Sequence, residues 1–176
     1  MTSAAARLAA AFIAIAAPAA AETLTAPIYL ATPTGPGASV GGITISQGPA
    51  GAIFTLDLKG LPPGPHGFHV HANPSCAPGE KDGKVVPAGG AGAHLDPAMS
   101  AAHMGPTGMG HLGDLPVITV AADGVARTVL TAPRIKSLDE LRGHALMIHA
   151  GGDNYADTPA PLGGGGARLA CGVIGD

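Results

Sequence analysis

The sequence predicts an all-β domain, an antiparallel sandwich or barrel of eight short strands interrupted by two long loops. Three observations carry this. Glycine (28) and proline (17) make up about a quarter of the 176 residues, which favours turns over helices. Short runs that alternate apolar and polar, or that are rich in β-branched residues, recur between the Gly and Pro breaks. Only one stretch carries a helix-start signature.

The first 21 residues, MTSAAARLAAAFIAIAAPAAA, stand apart. One Arg, a short apolar run and an Ala-x-Ala end before Glu22 make a secretory signal peptide, cleaved after Ala21. The apolar run is too short to span a bilayer comfortably. Residues 22–176 then form the mature domain. Strands are expected at 27–32 and 40–47. At 52–58, Phe54, Leu56 and Leu58 share one face, with Thr55 and Asp57 on the other, the period of a half-buried strand. Residues 66–72 follow. Runs at 117–121 and 125–131 flank Asp123-Gly124, a hairpin signal. Ser137 and Glu140 fit the S-x-x-E capping box of one helical turn. The last strands are expected at 145–149 and 169–174. Between them, 73–113 and 150–167 are rich in Gly and Pro and hold most of the distinctive polar residues. Loops of that length in a compact domain are usually functional or disordered.

The net charge of −3 gives no reason to expect nucleic acid or an anionic membrane as partner. Removing the leader takes Arg7 away and leaves the remainder one charge more negative. The two cysteines, Cys76 and Cys171, make an even pair, which in an exported protein suggests a disulfide. Two metal-binding thiolates are the alternative, but the close C-x-x-C spacing of zinc sites is missing.

The 8 histidines are not spread evenly. In HGFHVHANPSC, His69 and His71 are two apart and share one face of a strand, where both imidazoles reach one metal ion. His149, at the end of another strand, is a third candidate. His66 and His144 point to opposite faces. A second group, HLDPAMSAAHMGPTGMGHLGD, places His94, His103, His111 and Asp114 in a segment where no regular element keeps them on one side. Such a loop must fold around something, and a metal can order it. Three imidazoles and a carboxylate without thiolate suit tetrahedral zinc. Imidazole-only ligation from rigid strands suits tetragonal Cu(II). The residues alone therefore predict an exported β-protein with one redox-capable and one structural metal site.

At these residues the chain resembles the copper,zinc superoxide dismutases in their bacterial exported, periplasmic form. GFHVH, AGAHLDP, HLGDLP and GGGGARLACGVI carry the resemblance, which runs from about Ile28 to Ile174 in family order. It implies an eight-stranded Greek-key β-barrel and one copper and one zinc per subunit. It implies copper ligation by His69, His71, His94 and His149, with His94 as the imidazolate shared with zinc. Zinc would take His94, His103, His111 and Asp114. Asp153, in HAGGD, would hydrogen-bond one ligand histidine of each metal, Arg168 would attract and orient the anion, and Cys76 and Cys171 would form the disulfide. The implied reaction is dismutation of superoxide to O2 and H2O2, with copper alternating between Cu(II) and Cu(I). Relatives include monomers and homodimers. One departure stands out: bacterial relatives often carry a lysine between the last copper ligand and the arginine. Here residues 158–161 have none, and Arg168 is the only cation from His149 onward. A copper-delivery protein with the same fold is the rival reading, but such domains often lose a ligand or the arginine, and this chain keeps both. A zinc hydrolase is a further rival; three His and an Asp would leave zinc no open position for water.

Overall fold

Alternation is what builds the barrel. The structure, a computed structural model, describes residues 22–176, so the leader expected at 1–21 lies outside the described residues. In β1 (Thr23–Thr32) the inward Leu24, Ala26 and Ile28 are buried between exposed neighbours. The same period runs through β2 (Gly35–Gly48) and β3 (Gly51–Lys59). The remaining strands are β4 (Gly64–His66), β5 (Phe68–His71), β6 (Gly79–Lys81), β7 (Lys84–Val86), β8 (Ile118–Val120), β9 (Val125–Ala132), β10 (Ala145–His149) and β11 (Arg168–Val173). Seven of them form one antiparallel sheet in the order β5-β10-β11-β1-β2-β3-β9, and β4 pairs with β8. β4 and β5 are separated by Gly67 alone, and the turn at Asp123-Gly124 joins β8 to β9. The row is thus curled into an eight-membered barrel, counting β4 and β5 as one interrupted strand. Among the described residues the only helical segments are short 3-10 turns.

Three expectations need correction. Residues 66–72 are not one strand: the backbone of Gly67 leaves the ladder to pair with Gly151 and His149, so β4 and β5 face different partners. Asp123-Gly124 is a tight turn, closed by Gly124 N–H to the Ala121 carbonyl at 2.9 Å. It does not join a hairpin ladder, because β8 pairs with β4 and β9 with β3. The segment 73–113 holds a small hairpin, β6-β7, turning at Asp82-Gly83. The Ser137–Glu140 capping box is present, on the 3-10 turn Leu138–Leu141.

Inside the barrel, Phe54 meets Phe68 edge-to-face at 5.7 Å among Leu24, Ile28, Ile43, Ile45, Leu58 and Leu146, all fully buried. Burying each such side chain is worth about 1.5–3 kcal/mol. A second, smaller cluster lies outside the barrel: Ala88, Ala91, Ala145, Met147 and Cys171, with Cys76 against it. Cys76 and Cys171 are disulfide-bonded across a sequence separation of 95. The bridge therefore ties the start of the long loop to the last strand.

Candidate metal centre

β5 and β10 are buried along their whole length, although each is an outer wall of the barrel. Their inward residues face the core; their outward residues are His69 and His71 on β5, with Ala145, Met147 and His149 on β10. Antiparallel pairing sets Met147 opposite His69 and Ala145 opposite His71. The other edge of β5 receives both ends of the long loop. Leu95 N–H donates to the Val70 carbonyl (2.8 Å), Val70 N–H to Gly113 (2.9 Å) and Leu115 N–H to Phe68 (3.2 Å). This pins His94 and Asp114 beside His69 and His71. The close approach requires glycine at 113, where a Cβ would lie 2.3 Å from the Val70 oxygen.

The ligand atoms of His69, His71, His94 and His149 lie within 4.8 Å of one another, and all four residues are buried. Each has one ring nitrogen engaged. His69 Nε2–H donates to Asp153 Oδ2 (2.8 Å), His71 Nδ1–H to the Gly92 carbonyl (2.9 Å) and His149 Nδ1–H to the Gly166 carbonyl (3.2 Å). The opposite nitrogens, His69 Nδ1, His71 Nε2, His94 Nε2 and His149 Nε2, are buried without a hydrogen-bond partner. Buried polar atoms are rarely left so, and four gathered this closely could hold a metal ion. Burial, reinforced by neighbouring imidazoles, drives down the pKa of His71 to about 2, His149 to about 3 and His94 to about 4. These rings are therefore neutral at physiological pH, the form that binds metal.

Beside this cluster, Nδ1 of His94, His103 and His111 lie 3.1, 3.0 and 3.2 Å from a single oxygen, Asp114 Oδ1. His103 Nδ1 is close to that oxygen but not aligned for a hydrogen bond with it. Burial opposes charge on Asp114, but the His103 and His94 rings close to it outweigh this and hold the carboxyl well below its usual range. Burial likewise opposes charge on His103, yet its contacts to Asp114 and Asp153 raise it to about 9. His69 also lies within 4.8 Å of His94, His103 and Asp114. Its stacking on His94 at 4.0 Å explains that nearness, and its free Nδ1 belongs with the first cluster.

Asp153 spans both clusters, accepting from His69 on Oδ2 and from His103 Nε2 on Oδ1, each at 2.8 Å. Gly163 makes room for it: with φ +71, its added Cβ would stand 1.9 Å from Asp153 Oδ1 and 2.9 Å from His103 Nε2. Gly163→Ala is expected to push Asp153 off His103 and weaken metal retention by about 10- to 100-fold, as losses of such supporting partners do. Metal content after dialysis against a graded chelator checks this.

This is the architecture the comparisons find in known proteins. The family model described as copper/zinc superoxide dismutase matches residues 39–174. The chain belongs to the copper/zinc superoxide dismutase family. The Cu-Zn superoxide dismutase of Brucella abortus biovar 1 (strain 9-941) is 57% identical over 157 residues, covering 89% of this chain and 91% of that protein. Superoxide dismutase (Cu-Zn) 1 of Salmonella typhimurium (strain LT2) is 60% identical over 154 residues, 87% of each chain. The solved Cu/Zn superoxide dismutase from Brucella abortus superposes with a TM-score of 0.85 at 56% identity, covering 86% of this chain and 99% of that one. Family membership gives the cofactors, copper and zinc, and the activity, superoxide dismutation; the two histidine clusters fit the two metals.

The structure brings together the histidines singled out in the sequence, and His66 and His144 stay outside both clusters. His66 is buried, with its ring nitrogens facing the carbonyl oxygens of His149 (2.7 Å) and Pro62 (2.8 Å); His144 meets the Ala72 carbonyl at 2.8 Å. Sequence reasoning missed Lys81. The β6-β7 hairpin sets Lys81, with Glu80, in the wall of the cavity that Arg168 also lines. Arg168 is thus not the only cation lining that cavity. An Asp-Gly step between Lys81 and Lys84 was the signal for that hairpin.

Proposed function

We propose that His69, His71, His94 and His149 hold the copper and that His94, His103, His111 and Asp114 hold the zinc. The observation that carries this is the set of buried, partnerless ring nitrogens in the first cluster. His94 serves both sides, presenting Nε2 to the first and Nδ1 to the second. Bound copper would supply the one-electron exchange by which one superoxide is oxidised to O2 and another, taking up two protons, is reduced to H2O2. The protein's residues do the positioning. Asp153 fixes the ring orientation of His69 and His103, so that each presents Nδ1 inward. Three imidazoles and a carboxylate complete a closed four-ligand set, which suits zinc in a structural part. Metal analysis of purified protein, together with superoxide consumption before and after copper removal, tests the reading. Full activity in copper-free protein would overturn it.

Arg168 acts as the anion guide in this reading. Its Nη1 and Nη2 donate to the carbonyls of Ala88 (2.6 Å) and Gly92 (2.5 Å). Gly92 is also the acceptor for His71, so one peptide group joins the cation to the copper cluster. Burial lowers the Arg168 pKa, but guanidinium keeps its charge. A positive channel raises the encounter rate of a small anion, and superoxide dismutases are the standing example. Yet two unit charges about 10 Å apart in water interact by only about 0.4 kcal/mol, before screening. Close contact therefore dominates. Arg168→Ala is expected to slow the reaction by about one to two powers of ten, the loss of one charge-assisted contact of roughly 1.5–3 kcal/mol. Lys81→Ala should cost less and only at low salt. A rate-versus-salt series on both variants, fully copper-loaded, checks the pair.

The leader composition and the disulfide both support export, with residues 1–21 removed and 22–176 working in the periplasm.

A further inference from the structure

Arg134 lies outside both histidine clusters and in no strand. It follows β9, on the crossover that carries the chain toward β10. That crossover is tied down at several points. Ile135 is fully buried and its carbonyl accepts from Ala52 N–H at 3.1 Å. The capping box of Ser137 and Glu140 closes the next turn, and Glu140 Oε2 also accepts from Lys136 N–H at 2.6 Å. From this platform the half-buried Arg134 sends Nη1 to the carbonyl of His111 (2.8 Å) and Nη2 to that of Gly110 (2.9 Å).

Those carbonyls belong to the end of the long loop, in the stretch between Ala91 and Ile118 that holds no strand or helix. Toward this end the loop exposes methionines: Met99 and Met109 are 87% and 81% accessible. It has little core of its own, so polar contacts and metal must hold it. The His111 carbonyl closes a turn with Asp114 N–H (3.4 Å), and the His111 N–H donates to Ala102 (2.9 Å). The turn from His111 to Asp114 thus carries two members of the carboxylate-centred cluster, and Arg134 grips it from outside. A planar guanidinium suits two adjacent carbonyls, because its donors form a fixed fork; an ammonium presents a point charge.

We infer that Arg134 is a positioning residue for the zinc cluster: it holds the His111–Asp114 turn in ligating geometry from the β9–β10 crossover. This rests on the reading of His94, His103, His111 and Asp114 as the zinc set. The juxtaposition couples the barrel's crossover to the metal loop through one side chain.

The test follows zinc release from the copper- and zinc-loaded protein to a coloured chelator at neutral pH, for the parent, Arg134→Ala, Arg134→Lys and Arg127→Ala. Arg127 pairs with Asp57 on the exposed face of β3 and β9 and serves as control. Arg134→Ala is expected to hold zinc about 10- to 100-fold more weakly, the usual cost of losing a supporting partner. Arg134→Lys should fall between Ala and parent, and Arg127→Ala should match the parent. Cobalt(II) at the same site gives a second readout: its visible spectrum should change in Arg134→Ala and move back toward the parent in Arg134→Lys. If Arg134→Ala does not fold, Arg134→Lys decides alone on the same measurements. Parent-like zinc retention and cobalt spectra in the Arg134 variants overturn the inference. A parent that takes no zinc at all overturns the underlying ligand assignment instead.

Discussion

His71→Ala is expected to abolish superoxide dismutation while the zinc site still fills. His71 is 1% exposed and ends β5, paired there with Ala145 at the start of β10. Its removal leaves three imidazoles where four converged and takes the partner from the Gly92 carbonyl that also receives Arg168. On the proposed assignment, the copper ligand set and the anion guide are damaged together. The zinc cluster does not need His71: its own three Nδ1 atoms gather on Asp114, from the loop and from His94. The check is zinc content and superoxide consumption of the variant after copper loading. Near-parent turnover in the copper-loaded variant would sink the copper assignment.

Cys76→Ser carries the largest expected effect on stability. The bridge closes a loop of sequence separation 95, for which the chain-entropy model gives about 4–5 kcal/mol. For a domain of this size that corresponds to a melting temperature lower by roughly 10–20 °C. The effect should also reach the active site. The bridge sits in the cluster that buries Ala88, and the Ala88 carbonyl holds Arg168. Calorimetry on the parent and the variant measures the shift. An unchanged melting temperature, with both thiols titratable in the native parent, would show that the bridge does not form in solution.

The site was legible in the sequence to different depths, for physical reasons. His69 and His71 could be read because a strand's period of two puts them on one face, and that period survives any tertiary context. His94, His103, His111 and Asp114 were legible only as an unusual density of ligand types. Their convergence is set by where both loop ends dock on β5, which no local pattern encodes. The eight barrel strands emerged with shifted edges. β1 begins at Thr23, four residues earlier than expected, because Leu24 and Ala26 continue the buried face. Lys81 and Arg134 stayed hidden because each meets its spatial neighbours, the cavity of Arg168 and the His111 carbonyl, far away in sequence. Arg134 reaches back 23 positions to His111, and nothing around it marks that contact. β6 and β7, at three residues each, are too short to show periodicity.

The place of β11 has a consequence for how the chain can fold. The last strand in sequence is not at an edge. It lies in the interior of the seven-stranded sheet, with β10 on one side and the first strand on the other. Tyr29 pairs with Cys171, and Cys171 pairs with Met147. Until residues 168–173 leave the ribosome, β1 and β10 have no common neighbour and the ladder has a gap. Closing it joins the two ends of the domain, a contact of nearly maximal sequence separation, which belongs to the slow end of two-state folding. Completion of the sheet therefore waits for β11. A nascent chain that stays open until its last strand appears is one that can still be threaded through a translocation pore, which fits the proposed export.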